Sequence, residues 1–236
     1  MEESSNVAPK PQGSPTLMIK VGKFALTGGW AIVVQLLLLT GIVALVIYLR
    51  PSIAMLLSAA IWIGLSIFWS IAEQKKAPSQ SAETPESRRR HQLLLNLALL
   101  LVFLPFPGLT QSFLPRTLAS AVAGLSVQAA SVLFYFWAWR NLGRWWSGAV
   151  RIREGQRIVR SGPYRVLRHP MYTAMMGMYA GSAIVSGRYL GLIGVAVAAI
   201  AYWRKIQMEE RVLQEAFGEA YGTYRKETSA LIPWIF

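Results

Sequence analysis

Polar side chains that could hold a charged ligand are concentrated between residues 140 and 172. This segment reads RNLGRWWSGAVRIREGQRIVRSGPYRVLRHPMY and combines arginines, tyrosines, a tryptophan pair, one histidine and glycines that permit tight turns. Arginine holds carboxylates and phosphates through a planar pair of donors, and aromatic faces attract cations. A lone arginine beside a membrane more often contacts anionic lipid. The candidate site is therefore the whole segment rather than any one residue in it.

A second polar group, Glu209-Glu210, lies closer to the C-terminal end. Adjacent residues of a helix point about 100° apart, so one carboxylate can face a pocket while the other faces water. The second could equally pair with Arg211 or Lys205 on the same helix. A solvated helix face would explain both glutamates in isolation, so their function depends on the segment upstream.

The elements that must position these groups are long apolar segments. The chain is 54% hydrophobic and 15% charged, against about 25% charged residues in soluble domains. We predict an all-α, polytopic membrane protein with about six segments, including a C-terminal helical hairpin. The segments are Phe24 to Leu49, Ser52 to Ala72, Gln92 to the prolines at 105 and 107, Thr117 to Trp139, Met171 to Gly187, and Leu190 to Trp203.

Two features of this division can be checked directly. The stretch from Glu73 to His91 is expected to be a hydrophilic loop between the second and third segments. The sixth segment is too short to span a bilayer, so it either re-enters or continues as a helix beyond the membrane. Continuation is favoured because no proline follows before Gly218, where a glycine would end the helix.

The charge distribution predicts the orientation. If the N-terminal tail is cytoplasmic and all six segments cross, the opposite loops contain Arg50, Arg116 and Arg188 out of 24 Lys and Arg residues, and none of the acidic residues. Both termini and the candidate site are then cytoplasmic, in a bacterial inner membrane or an equivalent one. The six apolar cores contain no charged residue, unlike typical ion pathways.

Several functional classes are disfavoured by composition. Cysteine is absent and the two histidines, His91 and His169, are far apart, so a metal site held by the protein is not expected. The formal charge of +13 does not indicate nucleic-acid binding, because the basic residues lie between apolar runs. No G-x-G-x-x-G fingerprint of a soluble nucleotide-binding domain occurs.

The motif GPYRVLRHPMY, residues 162–172, resembles a known family. It is followed by Glu209-Glu210, then by Leu213, Phe217-Gly218, Tyr221, Tyr224 and Leu231-Ile232-Pro233. This combination resembles the isoprenylcysteine carboxyl methyltransferases and their bacterial relatives, within a wider group that includes membrane phospholipid methyltransferases. The resemblance covers residues 141–236, which it marks as the catalytic region. Residues 24–140 would be a four-helix scaffold, and residues 1–23 a flexible cytoplasmic tail.

The resemblance implies S-adenosylmethionine as the methyl donor, held between the loop before the fifth segment and the helix after the sixth. One of the two glutamates would accept hydrogen bonds from the cofactor ammonium or ribose. Pro170 opens a helix whose N-terminus favours the cofactor carboxylate. Tyr221 and Tyr224 could cover the cofactor or anchor at the headgroup level. The implied cofactor-binding residues are Tyr164, His169, Pro170, Tyr172, Glu209, Glu210, Tyr221 and Tyr224.

For the acceptor, the resemblance implies a prenylcysteine-like carboxylate dissolved in the membrane. An ionised carboxylate needs alignment rather than a base, and Arg168 is the leading residue to hold it. Arg165 and Arg204 are further candidates, with Lys205 as another cation near Arg204. Relatives that methylate phospholipid amines or small thiols leave those acceptors open.

Two rival functions remain open from the sequence. Membrane sterol-type reductases that use NADPH show a related arginine, histidine and proline pattern, but typically with asparagine where this chain has Met171. A transport or structural protein with basic loops is the non-enzymatic alternative. It leaves the spacing of GPY, RHPMY and the paired glutamates unexplained.

Overall fold

The computed structural model describes residues 52–74, 83–106, 111–148 and 155–233, with a few single positions outside these ranges. The long elements within them are helices, in agreement with the all-α prediction. Two short 3₁₀ helices, 143–145 and 162–165, precede the fourth α-helix. The α-helices whose bounds lie within the described ranges are α1 (Ile53–Gln74), α2 (Pro85–Phe103), α3 (Leu118–Leu142), α4 (Pro170–Ser186), α5 (Tyr189–Phe217) and α6 (Glu219–Glu227).

Three described stretches are long and apolar enough to cross a membrane, judged by length and composition. They are Ile53–Ala72, Leu118–Trp145 and Tyr189–Phe217. The predicted segment from Phe24 to Leu49 lies almost entirely outside the described residues. Helix α4 has 17 residues and would be about 26 Å long. The count of six crossings therefore stays a prediction.

The predicted loop from Glu73 to His91 is wrong in its second half, because α2 begins at Pro85. Thr84 caps this helix, its side chain accepting a hydrogen bond from the Ser87 amide at 3.2 Å. Proline at the first helical position and Glu86 in the first turn both favour a helix start. The three arginines before His91 thus lie on the helix and not in a loop.

The predicted continuation of the sixth segment is confirmed. Helix α5 runs without interruption to Phe217 and ends at Gly218, whose positive φ of 53° suits glycine. The apolar half of this helix and the paired glutamates are therefore parts of one rigid rod. A side chain at position 209 is positioned by the packing of the whole helix.

Helices α3 and α4 approach closely through glycines. A Cβ atom on Gly181 would lie 2.7 Å from the Gly124 carbonyl oxygen and 2.7 Å from Cγ of Gln128. Small residues let helix backbones come together in this way, and such contacts are typical of membrane helix pairs. Buried side chains of α2, α3 and α4, among them Phe103, Tyr135 and Met178, fill the adjoining core.

We expect Gly181→Ala to lower the free energy of unfolding by about 1–3 kcal/mol, because the added methyl group has no room. Gly64→Ala is the matched control, since nothing lies within 4 Å of its Cβ position and alanine favours helix. Thermal unfolding in detergent compares the two variants. A loss of stability in both, or in neither, would contradict the close approach of α3 and α4.

Candidate active site

A cleft lies where the end of α3, the start of α4, the second half of α5, and α6 meet. One part of its wall is apolar, formed by side chains that include Trp145, Trp146, Ile158, Val159, Val212 and Phe217. The other part is polar, formed by Arg168, His169, Tyr172, Glu209 and Tyr221. The cleft thus combines an apolar wall with a charged end.

The RHP motif is held in place by backbone pairing with the chain that follows α6. The Arg168 amide donates to the Ser229 carbonyl at 2.8 Å, and the His169 amide to the Ala230 carbonyl at 3.1 Å. In return the Ser229 amide donates to the Val166 carbonyl at 2.9 Å. The residues before α4 are thereby fixed by a segment distant in sequence, a contact that no local pattern predicts.

Glu210 lies at the centre of a buried charge cluster. Its Oε1 accepts from Arg168 Nε at 2.7 Å and lies 3.3 Å from His169 Nε2, while its Oε2 lies 3.4 Å from Arg225 Nε. The Arg168 and Glu210 side chains are 8% and 9% exposed. Arg168 Nη1 also donates to the carbonyls of Arg225, at 3.0 Å, and Thr228. This cluster joins the start of α4 to α5 and to the end of α6.

Glu209 occupies a different position from its neighbour. It lines the cleft, and its Oε2 accepts a hydrogen bond from the Tyr172 hydroxyl at 2.9 Å. His169 Nδ1 lies 3.6 Å from the same oxygen, and the His169 ring stacks on Tyr172 with 5.6 Å between ring centroids. Of the two glutamates, Glu209 is therefore the one available to a ligand, whereas Glu210 does not line the cleft and is paired with Arg168.

Tyr221 has a buried hydroxyl group without a partner. The residue is 2% exposed and lines the cleft, yet the hydroxyl has no hydrogen-bond partner among the described residues. Burial, reinforced by the charge of Glu210, raises the pKa of Tyr221 well above its usual range. The hydroxyl therefore stays protonated at neutral pH as a donor in need of an acceptor.

Tyr224 and Tyr164 stabilise each other beside it. The Tyr224 hydroxyl donates to the Tyr164 carbonyl at 2.8 Å, and burial raises the pKa of Tyr224 to about 12. Both side chains are buried and line the cleft. The structure thus places Tyr221 and Tyr224 in the cleft wall and not at an exposed surface.

The remaining candidate residues lie away from the cleft. Arg165 is exposed and does not line it. Arg204 Nη2 donates to Ser87 Oγ at 2.9 Å, against the start of α2, and its neighbour Lys205 forms a buried ion pair of 2.5 Å with Glu83. Pro170 is buried as the first residue of α4. Of the three arginines considered for the acceptor, the structure brings Arg168 alone to the cleft.

Several cleft residues were not singled out from the sequence, among them Val212 and Arg157. Val212 lies three positions after Glu209, so helical periodicity could have found it. Arg157 also lines the cleft, but nothing in its local sequence distinguishes it from the other arginines nearby.

Comparison with known proteins agrees with this arrangement. The phospholipid methyltransferase family model matches residues 119–220. Protein-S-isoprenylcysteine O-methyltransferase B of Arabidopsis thaliana is 24% identical over 135 residues, which cover 55% of this chain and 65% of the plant protein. Methanethiol S-methyltransferase 1 of Bradyrhizobium diazoefficiens is 32% identical over 30% of this chain and 24% of its own length. Methanethiol S-methyltransferase of Mycobacterium tuberculosis is 36% identical over 30% of this chain and 28% of its own length.

The chain therefore spans less than two thirds of the length of each of these relatives, and the family match covers most of the region that builds the cleft. The family match begins at the start of α3 and ends in α6. It includes the GPYRVLRHPMY motif and both glutamates. The resemblance that this motif indicates is confirmed, since residues 119–220 match the phospholipid methyltransferase family model.

Proposed function

We propose that the protein is an integral membrane methyltransferase that uses S-adenosylmethionine to methylate an acceptor dissolved in the membrane. A prenylcysteine-like carboxylate is the first acceptor class. The observation that carries the proposal is the cleft itself, in which Glu209, Arg168 and the unpartnered Tyr221 hydroxyl adjoin an apolar wall. The names of the relatives support the same reaction class.

The polar end of the cleft fits the chemistry of the proposed cofactor. S-adenosylmethionine supplies an electrophilic methyl group on a sulfonium, together with an ammonium, a carboxylate, ribose hydroxyls and an adenine. Glu209 offers a carboxylate to the ammonium or to a ribose hydroxyl, and the Tyr221 hydroxyl offers a donor. Aromatic faces such as those of Trp145 and Tyr172 suit a cation or the adenine.

The apolar wall fits an acceptor with a lipid chain. Trp146, Ile158 and Val159 lie on it, so the chain of the acceptor can be buried there while its polar end faces Arg168. A carboxylate at this point is already ionised, so alignment and exclusion of water suffice for methyl transfer. The bonds of Arg168 to Glu210 and to two carbonyls fix the guanidinium in position.

A small thiol is the second acceptor class, favoured by the two methanethiol methyltransferases among the relatives. A thiol must lose its proton before it attacks a methyl group. His169 lines the cleft and contacts both glutamates, so it is the candidate base for that reaction.

S-adenosylhomocysteine should raise the melting temperature of the detergent-solubilised protein, because a ligand that binds the folded state stabilises it by mass action. NADPH should leave it unchanged, and the opposite result would favour the reductase function. Methyl transfer to a farnesylated N-acetylcysteine and to a short alkyl thiol then separates the two acceptor classes. Binding of the cofactor product without transfer to either would exclude both acceptors and retain the cofactor site.

Tyr221→Phe should lower the affinity for S-adenosylhomocysteine by about 2- to 13-fold, the equivalent of one hydrogen bond of 0.5–1.5 kcal/mol. It should not lower the stability of the free protein, because the hydroxyl that it removes has no partner there. Tyr224→Phe is the matched control, since it removes the bond to Tyr164 and should lower the stability of the free protein. Calorimetric titration and thermal unfolding measure the two quantities. Equal loss of stability in both variants would contradict a ligand-binding hydroxyl at Tyr221.

A further inference from the structure

Two arginines meet at the end of the helices opposite the cleft. Arg116 lies just before α3, and Arg188 lies in the turn between α4 and α5. The chain before α3 packs on this turn, since Ser112 and Arg188 form a backbone bridge. Arg116 Nε also donates to the Ser186 carbonyl at 3.3 Å, at the end of α4. Both guanidinium groups are thereby fixed beside one turn.

Arg188 is a buried cation with few partners. The residue is 7% exposed, and its Nη1 donates to the carbonyl of Phe103, the last residue of α2, at 3.4 Å. Its Nε has no hydrogen-bond partner among the described residues. One neutral carbonyl is a weak compensation for a buried charge, which is costly unless it is paired and fully hydrogen-bonded.

No carboxylate is available from the described elements that surround this turn. They are the end of α2, the chain that follows it, the start of α3, the end of α4 and the start of α5. The sequence contains no acidic residue between positions 92 and 153 or between positions 155 and 208, and these stretches include all of those elements. Burial, and then the neighbouring charge of Arg116, lower the pKa of Arg188. The two guanidinium groups thus repel each other, and no counterion for them occurs among the described residues that surround the turn.

We infer that Arg116 and Arg188 form a binding site for a phosphate group at the membrane face opposite the cleft. Guanidinium groups bind phosphate oxygens through paired donors, and a phosphate would supply both the missing charge and an acceptor for Arg188 Nε. Large apolar side chains lie exposed next to the two arginines, with Leu118 81% exposed and Tyr189 53% exposed. They suit the acyl chains of a phospholipid, so an anionic lipid headgroup is the expected carrier of the phosphate.

The test compares lipids added to the full-length protein in a neutral detergent. Dioleoyl phosphatidylglycerol at about 100-fold excess over its Kd should raise the melting temperature by roughly 5–10 °C. Dioleoyl phosphatidylcholine should not, because the choline ammonium neutralises the charge of its phosphate and the two arginines require a net anion. Arg116→Gln should lose most of this shift. Because the Arg116 side chain is exposed, we expect this variant to fold like the wild type. Arg89→Gln, an exposed residue of α2 toward the cleft end, removes the same charge and should keep the shift.

Inorganic phosphate forms the second arm of the experiment. A shift with phosphate that equals the shift with phosphatidylglycerol, and that Arg116→Gln removes, would assign the same site to a free anion. Equal shifts with both lipids would overturn the inference, as would a full shift in Arg116→Gln. Arg188→Lys gives a further check. If Arg188 serves only to bond the Phe103 carbonyl at the end of α2, this variant should lower the stability of the free protein and leave the lipid-dependent shift unchanged, which would contradict a phosphate site.

Discussion

Glu210→Gln is expected to lower the free energy of unfolding by roughly 3 kcal/mol and to abolish methyl transfer. The side chain is 9% exposed and contacts three cationic or hydrogen-bonding groups, so the neutral variant leaves the Arg168 guanidinium buried without its counterion. Removal of one partner from a buried ion pair typically costs about 3–5 kcal/mol. The lower value applies because glutamine keeps the size of the side chain and one acceptor oxygen.

The measurement is thermal unfolding of the variant in detergent, together with a methyl-transfer assay below the melting temperature. Glu215→Gln is the matched control, since this exposed residue lies on the same helix and carries the same charge. If both variants melt at the same temperature, Glu210 does not hold Arg168 and His169 in the way that the contacts indicate.

Glu209→Gln should have the opposite profile, with stability nearly unchanged and cofactor affinity lowered by about ten- to a hundred-fold. The side chain is 32% exposed, and the Tyr172 hydroxyl can still donate to the amide oxygen of glutamine. The variant removes the charge proposed to face the cofactor ammonium, and charged hydrogen bonds of this kind contribute about 1.5–3 kcal/mol.

Calorimetric titration with S-adenosylhomocysteine compares this variant with Glu215→Gln. Arg168→Lys serves as a second comparison, because it keeps the charge beside Glu210 but cannot also reach the carbonyls that Arg168 Nη1 contacts. If the Glu209→Gln variant binds the cofactor product as tightly as the wild type, Glu209 does not bind the cofactor ammonium.

The sequence predicted the helices of the site better than the directions of their side chains. The sequence after Trp203 lacks proline up to Gly218, and these local signals predict that α5 continues beyond the apolar segment and ends at this glycine. The start of α2 was missed although Thr84, Pro85 and Glu86 are typical of a helix start. The reason is that the charges after them favoured a loop.

The side-chain positions depend on tertiary contacts that local patterns do not encode. The ion pair between Glu210 and Arg168 depends on the backbone hydrogen bonds that residues 166–169 form with the chain after α6. Arg204 is a different case, because a helix turns about 100° per residue and therefore places Arg204 about 140° from Glu209. Periodicity alone could have excluded Arg204 from the cleft.

The backbone pairing of the RHP motif with Ser229 and Ala230 also determines when the cleft can form. Chains are synthesised from the N-terminus at about 5–20 residues per second, so α1 to α5 are synthesised before Ser229 is added. Until then the amides of Arg168 and His169 lack the carbonyls to which they donate in the folded protein. A nascent chain can therefore carry all of these helices and still have no formed cleft, so the proposed methyl transfer can begin only after the segment that follows α6 has been translated.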